Sequence, residues 1–289
     1  MEQSQSQFLD TFTHQKIRRE MTTLGRYYNL RGENPFDYPL GTIKVPSVTT
    51  VLSNVMNKGY AFDMWLKNYG HFSDWYRNFK ANKGTAVHVC VERLGNGETL
   101  SFGEIKDIAF QYCNAVDIAM NGGKSALLRS ICMYIESYMQ YFDEHKPLLL
   151  AREYQMYSAE LGFAGTADEI CELGSLAQRT ILDIKTGAVS DSHMLQGNAY
   201  AMLWNELNPE FKVERIAVLY LKDSYKLKPT FSLKIESLNP NLWDKVLSVY
   251  QAKYQLKDGS YKQKSKWNPK VQFNLKKEIA DVRLDSVEV

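Results

Sequence analysis

Three strand-like segments follow one another between residues 148 and 185. They cover residues 148–158, 161–172 and 179–185, and turns are expected at Gly162 and at Gly174-Ser175. Helical periodicity precedes them, over residues 104–145, and follows them, over residues 192–207. This order of helix, three strands and helix predicts an α/β fold in which helices pack against a sheet.

The rest of the chain adds further elements on both sides of this segment. An amphipathic helix is expected over residues 4–20, a loop or short strand over 32–46, and a helix directly after Pro46. Residues 60–79 favour a helix with an aromatic stripe, and residues 83–94 favour a helix that carries His88. The breaker Asn121-Gly122-Gly123 divides residues 104–145 into two helices. The predicted C-terminal elements are strands over 213–221 and 230–236 and a helix over 239–256.

Composition excludes several classes of protein. The chain has 289 residues, 44% of them apolar, but its longest apolar run, Ile216–Leu221, has six residues, far fewer than the roughly 18 that cross a bilayer. We therefore expect no membrane association. The N-terminus has acids and lacks the apolar core of a secretory signal. We therefore expect an intracellular location, in the cytoplasm or, for a virus-encoded protein, in the host cytoplasm.

The chemistry-bearing segment is GTADEICELGSLAQRTILDIKTG, residues 165–187. Asp168 lies in one predicted strand, and Asp183 and Lys185 lie two apart in the next, so the last two side chains project to one face of that strand. Carboxylate oxygens suit hard divalent cations, and a nearby lysine can hold or polarise a water. The pattern predicts metal-dependent hydrolysis of a phosphodiester. The alternative is a surface ion pair at a strand edge.

The order of these residues resembles the RecB-like branch of the PD-(D/E)XK nuclease superfamily. The matching residues run in the order His88, Glu153, Gly165-Thr166-Ala167-Asp168, Asp183-Ile184-Lys185-Thr186-Gly187, and Gln196-x-x-x-Tyr200. The segments PSVTTVL at residues 46–52 and KGTAVH at residues 83–88 are similar to those of the mitochondrial genome maintenance exonuclease and of phage-type exonucleases. The resemblance covers residues 45–257.

The resemblance implies a fold and an arrangement of domains. It implies a PD-(D/E)XK core, a central mixed sheet flanked by helices, with an N-terminal helical insert. We accordingly expect residues 1–145 to form a helical region that contributes His88 and a DNA-binding arch. Residues 146–257 would form the nuclease core, and residues 258–289 a basic C-terminal tail.

The resemblance also implies roles for individual residues. It makes Asp168, Asp183, His88 and the carbonyl of Ile184 ligands of a metal ion, and Lys185 the residue that places or activates the attacking water. Glu153 would be a further acid beside the metal. A lone histidine on a helix is otherwise most often a packing or surface residue.

DNA contacts are expected from three segments of the chain and from Thr186. Gln196 and Tyr200 lie one helical turn apart and share a face that would hold the strand by hydrogen bond and stacking. The helix N-terminus after Pro46 and the basic tail, with eight lysines and one acid over residues 253–277, would hold phosphates. The remaining expected DNA-binding residues are Thr186, Ser47, Thr49, Lys264, Lys266 and Trp267. Helix capping, core packing and a solvated tail are the alternative interpretations.

Taken with the residues, the resemblance implies a metal-dependent DNA exonuclease. It would use Mg²⁺ or Mn²⁺, as one or two ions, and act on single-stranded DNA or strand ends in replication, recombination or repair, beside replication or recombination proteins. We expect no iron–sulfur cluster, because the last cysteine, Cys171, precedes the Asp183 motif, and no ATP, because no GxxxxGK[ST] loop occurs. The alternatives are a structure-dependent endonuclease on the same fold and a non-catalytic nucleic-acid-binding module. The intact Asp168, Asp183 and Lys185 disfavour the module.

Overall fold

The protein is a mixed α/β structure with a central sheet of five strands flanked by helices. The structure, a computed structural model, describes residues 17–22, 25–30, 43–56, 64, 66–158, 160–174, 178–223 and 230–257. Its strands are β1 Ile17–Thr22, β2 Gly25–Leu30, β3 Ile43–Pro46, β4 Leu148–Ser158, β5 Phe163–Leu173, β6 Gln178–Lys185, β7 Arg215–Lys222 and β8 Thr230–Ser237. Its helices are α1 Val48–Val55, α2 Ser73–Gly95, α3 Phe102–Tyr112, α4 Ala115–Met120, α5 Gly123–His145, α6 Asp191–Leu207 and α7 Pro240–Lys257.

The central sheet is mixed, as the resemblance implies, but mostly antiparallel. Its order is β4-β5-β6-β7-β8, and only β6 and β7 run parallel, with Asp183 opposite Val218. A parallel pair needs a crossover, and α6 supplies it. The carboxyl end of β6, with Asp183 and Lys185, therefore lies where the chain leaves the sheet for α6.

Two hydrophobic cores lie on the two faces of the sheet. One core packs α1, α6 and α7 against the sheet, and the other packs α2, α3 and α5 against its opposite face. The apolar run Ile216–Leu221 belongs to β7 and is buried throughout. Alternate side chains of β7 enter the two cores, as for Ile216 and Ala217. Because both faces of β7 are covered, its side chains are apolar on both faces, and this accounts for the continuous apolar run.

The helices before β4 differ from the prediction in number. The predicted break at Asn121-Gly122-Gly123 is confirmed, since α5 begins after Gly122, which has a left-handed φ of 89°. A second break after Cys113 divides the preceding segment into α3 and α4, because the Asn114 side chain accepts a hydrogen bond from the backbone N–H of Asp117 and caps α4.

The largest departure lies at the N-terminal end of the described chain. Residues 17–22 form β1 rather than part of the helix expected over 4–20, and β1, β2 and β3 make a separate antiparallel sheet. The pairing to β2, which buries Tyr27 and Tyr28, is a tertiary contact that a local periodicity does not contain. The region 1–145 is therefore not wholly helical, and its boundary at residue 145 stays a prediction.

Some predictions fall on residues outside the described ones. These include the tail 258–289 with Lys264, Lys266 and Trp267, and also Trp65 of the aromatic stripe. Within the described residues, no helix is long and apolar enough to cross a bilayer.

Candidate active site

The site begins at an irregularity shared by β4 and β5. Arg152 pairs with Glu169 and Tyr154 pairs with Ala167, so Glu153 lies opposite Asp168. Residues two apart on a regular strand face the same side. Here Arg152 contacts Tyr138 of α5, whereas the Tyr154 ring packs 5.3 Å from that of Trp204 of α6, across the sheet. The side chains of β4 therefore change from one face of the sheet to the other at Glu153.

The backbone of Glu153 has the conformation that makes this reversal. Its φ is 41°, in the left-handed region that residues other than glycine rarely adopt. Such strained conformations persist where surrounding structure enforces them and are concentrated at functional sites. The strain at Glu153 therefore marks this place in the sheet as a candidate site independently of any motif.

Helix α2 brings a histidine to the two acids. The Nδ1 atom of His88 lies 3.6 Å from Asp168 Oδ1 and 3.9 Å from Glu153 Oε1. One ligand atom from each of the three residues lies within 4.8 Å of the other two. One imidazole nitrogen and two carboxylate oxygens form a donor set that divalent cations such as Mn²⁺ accept, so these residues fit a metal ion.

The DIK segment forms the other half of the site. Lys185 Nζ lies 2.6 Å from Asp183 Oδ2, so the two side chains share a face as the spacing predicts. The backbone N–H of Ile184, between them, donates a hydrogen bond of 2.6 Å to Asp168 Oδ2. Asp168 therefore joins the His88 and Glu153 group to the Asp183–Lys185 pair. The role of the Ile184 carbonyl as a metal ligand stays a prediction.

The charged groups of the site shift one another's pKa values. Burial lowers the pKa of His88, but the charges of Asp168 and Glu153 more than offset this and raise it to about 9. Burial raises the pKa of both Asp168 and Asp183. Burial lowers the pKa of Lys185, yet the charges of Asp183 and Asp168 outweigh it and the net shift is upward. The cationic side chains of His88 and Lys185 thus balance the carboxylates, which are expensive to bury unpaired.

A small cavity lies beside His88, Glu153 and Asp168. One of its lining residues is an acid to which the sequence analysis gave no role. Glu92 lies one helical turn after His88 and lines this cavity together with Glu153 and Asp168. Burial and the Glu153 charge raise the pKa of Glu92. The i, i+4 spacing from His88 is the sequence signal that would have found it.

A second group of polar residues lies around the turn that follows Lys185. The Tyr134 hydroxyl donates a hydrogen bond of 2.9 Å to the Thr186 carbonyl. Lys83 Nζ donates to Ser130 Oγ at 2.7 Å and pairs with Asp223 at 3.1 Å. A Cβ on Gly84 would lie 3.1 Å from Thr186 Oγ1, so the two residues lie side by side with little room between them. Thr186 is therefore held next to α2, and its contact to DNA stays a prediction.

His193 and Tyr220 lie on the other side of the Asp183–Lys185 pair. His193 Nδ1 and the Tyr220 hydroxyl are 3.1 Å apart, and Tyr220 is the β7 partner of Lys185. Burial and the Lys185 charge lower the pKa of His193 to about 4, so its imidazole is neutral near pH 7. No sequence pattern connected these two residues with the site.

Gln196 and Tyr200 share a helix face, but that face is buried. Gln196 Nε2 donates to the Tyr200 hydroxyl at 2.7 Å, and Tyr200 is 4% exposed. A Cβ on Gly165 would lie 2.3 Å from the Tyr200 ring, so the glycine of the GTAD segment makes room for this tyrosine. In this arrangement the ring has no open face on which a base could stack, and the geometry favours packing. A contact of either residue with DNA stays a prediction.

Ser47 and Thr49 lie at the start of α1. The Ser47 side chain accepts a hydrogen bond of 3.0 Å from the backbone N–H of Thr50, which makes Ser47 the N-cap. Its hydroxyl also lies 2.8 Å from that of Thr49, which is exposed. Capping accounts for Ser47, and a phosphate contact of either residue stays a prediction.

Comparisons with protein families, curated proteins and solved structures gave different results. No protein-family model matches the chain, and no curated protein matches it. Among solved structures it is similar to an alkaline exonuclease, LHK-Exo, from Laribacter hongkongensis, with 11% identity and a TM-score of 0.33, over 60% of this chain and 91% of that one. A structure of LHK-Exo in complex with dAMP gives 13% identity and a TM-score of 0.33, over 65% and 96% of the two chains.

Proposed function

We propose that this protein is a divalent-metal-dependent deoxyribonuclease of the PD-(D/E)XK type that removes nucleotides from DNA ends. The observation that carries the proposal is the convergence of His88, Glu153 and Asp168 with the Asp183–Lys185 pair around the carboxyl end of β6. The proposed role is in DNA replication, recombination or repair.

The metal would be held by the group that gathers around Asp168. His88, Glu153 and Asp168 supply donor atoms, and Asp183 is the neighbouring carboxylate. Mg²⁺ or Mn²⁺, when bound there, would polarise a phosphoryl oxygen and favour ionisation of a water. Strands β4 and β5 and helix α2 carry the three donor residues close together, so these ligands need little rearrangement to bind a metal ion.

Lys185 has the position for orienting the attacking water. Its ammonium group is held by Asp183 at 2.6 Å and its side chain is partly exposed, whereas the Asp183 side chain is only 2% exposed. Asp183 thus fixes the lysine from the buried side. The ammonium can donate a hydrogen bond to a water, and it would stabilise negative charge that develops on the phosphate, which would lower the barrier.

One assay tests both the reaction and the need for an end. Purified protein with Mn²⁺ is incubated with linear single-stranded DNA labelled at either terminus and, separately, with a closed circular single strand. We expect nucleotides to be released from the linear strand and the circle to remain intact. Cleavage of the circle at a similar rate would make the protein an endonuclease, and no cleavage of either would contradict the proposed activity.

A matched pair of variants connects the activity to the site. Asp183→Asn removes a charge from the site, whereas Asp143→Asn makes the same change at an exposed position of α5. Activity should disappear only in the first. Equal activity in both would exclude Asp183 from the reaction and attribute the cleavage to another site or to a contaminant.

A further inference from the structure

Arg152 occupies a buried position between helix α2 and the two strands that carry Glu153 and Asp168. Its Nη1 atom donates to the carbonyl oxygens of Val91 and Glu92, at 3.1 and 3.0 Å, in the last turns of α2. Its Nη2 atom lies 2.8 Å from Glu169 Oε1, on the strand that pairs with its own. One guanidinium group therefore bonds to the helix of His88 and to the strand of Asp168.

Tyr138 completes this group. Its hydroxyl accepts a hydrogen bond of 2.5 Å from Arg152 Nη2 and donates one of 2.7 Å to Glu169 Oε1. Arg152 and Glu169 are the immediate chain neighbours of Glu153 and Asp168. We call Arg152, Glu169 and Tyr138 the Arg152 clamp. The clamp holds the two strands at the point where the backbone of Glu153 has a φ of 41°.

Helix α2 has a glycine where the guanidinium passes. A Cβ on Gly95, the last residue of α2, would lie 1.3 Å from Arg152 Nη1, so any other residue would displace the arginine or the helix end. The cation also lies near the carbonyl end of the helix, where positive charge is favourable. The sequence of α2 thus provides both the space and the acceptors for Arg152.

The buried ion pair between Arg152 and Glu169 is expected to add little to the free energy of unfolding. The Arg152 and Glu169 side chains are 4% and 2% exposed, and the desolvation of a buried ion pair often cancels its attraction. Among the described residues, Arg152 Nε and Glu169 Oε2 are buried with no hydrogen-bond partner. Replacement of a buried ion pair by apolar residues of similar size is often neutral or stabilising.

We propose that Arg152 is a positioning residue that sets the distance between His88 on α2 and the carboxylates of Glu153 and Asp168. The inference rests on the proposed metal site and deepens it. Bonds to groups behind the ligands orient those ligands, and their loss commonly weakens metal binding by about 10 to 100-fold. Loss of the clamp frees α2 to shift against β4 and β5, and the ligand group loosens while both cores remain.

The first test replaces the ion pair with uncharged groups. The double variant Arg152→Met with Glu169→Gln leaves no unpaired buried charge. Mn²⁺ affinity is measured by electron paramagnetic resonance of free Mn²⁺, and the unfolding midpoint is measured with EDTA present. We expect a midpoint close to that of the wild type and Mn²⁺ binding weaker by at least about tenfold. An affinity within twofold of the wild type would overturn the proposal.

Single variants keep the test decisive if the double variant does not fold. Arg152→Lys keeps the positive charge but cannot bond at once to the α2 carbonyls and to Glu169. Gly95→Ala displaces the guanidinium from the helix side, and Gly103→Ala, whose Cβ meets no atom closer than 3.8 Å, is its control. Arg152→Lys and Gly95→Ala should weaken Mn²⁺ binding, and Gly103→Ala should not. Wild-type affinity in folded Arg152→Lys would overturn the proposal.

The same titrations separate this inference from the proposed function. If the wild type binds Mn²⁺ and the clamp variants bind it weakly, the clamp is supported even when no DNA is cleaved. If the wild type cleaves DNA and the folded variants bind Mn²⁺ equally well, the clamp fails and the nuclease stands. A wild type that binds no Mn²⁺ overturns both.

Discussion

The Asp168 carboxylate accepts a hydrogen bond of 2.6 Å from the backbone N–H of Ile184, which lies between Asp183 and Lys185. This bond connects β5 to the end of β6 beyond their last paired residues, Glu169 and Leu182. It leaves the other oxygen of Asp168 directed to His88, at 3.6 Å. One carboxylate thus fixes the relative position of the three-residue group and the Asp183–Lys185 pair.

Replacement of Lys185 should separate catalysis from binding. We expect Lys185→Met to lower the cleavage rate by about 10² to 10³-fold, because it removes the proposed donor to the attacking water. Affinity for DNA should change little, since one cation among many contributes little to binding. Rates at saturating DNA and binding without divalent metal ions check this. A loss of affinity as large as the loss of rate would instead make Lys185 a phosphate anchor.

The stability of the metal-free protein should depend on pH through His88. Its pKa is about 9 in the folded protein and about 6.5 when unfolded, so folding favours the protonated form. The resulting stabilisation is complete below about pH 6.5 and is lost as the pH rises through 9. We expect the unfolding midpoint in EDTA to fall over this range, and to fall less in His88→Gln. Identical pH profiles for the two proteins would contradict the arrangement of His88 with Asp168 and Glu153.

Trp75, from the aromatic stripe, should behave as a packing residue. Its ring stacks on that of Phe79, with centroids 6.5 Å apart, and its Nε1 atom donates to Asp117 of α4. We expect Trp75→Ala to lower the free energy of unfolding by roughly 2 kcal/mol or more, with little change in DNA affinity at temperatures where the variant is folded. Trp75→Phe, which keeps the stacking, is the control. A DNA-binding defect without a lower unfolding midpoint would restore the stacking-platform interpretation.

The order of helices and strands around the site could be predicted because it follows from local sequence patterns. The strands β4, β5 and β6, the helix α6 and the shared face of Asp183 and Lys185 follow from periodicity, glycine turns and a spacing of two. The proximity of His88 and Glu153 to Asp168 was expected only through the resemblance, since no local rule connects a helix to strands that lie some 65 residues or more away.

Other features arise from tertiary contacts and could not be predicted. The reversal of β4 at Glu153 depends on contacts of its neighbours with opposite faces of the sheet. The burial of Tyr200 depends on the space at Gly165, and the clamp at Arg152 depends on Gly95. Each involves two segments that are distant in sequence, whereas propensity describes only one segment at a time.

The central claim is that Asp168 and Asp183 support metal-dependent hydrolysis, and Asp168→Asn and Asp183→Asn test it most directly. Each change removes an anion that pairs with a cationic side chain, His88 for Asp168 and Lys185 for Asp183, so the unfolding midpoint in EDTA is measured to establish that each variant is folded. The measurement is the release of nucleotides from end-labelled linear DNA with Mn²⁺ and with EDTA. The account predicts release by the wild type with Mn²⁺ alone and none by either folded variant. Wild-type release by a folded variant, or release in EDTA, would contradict it.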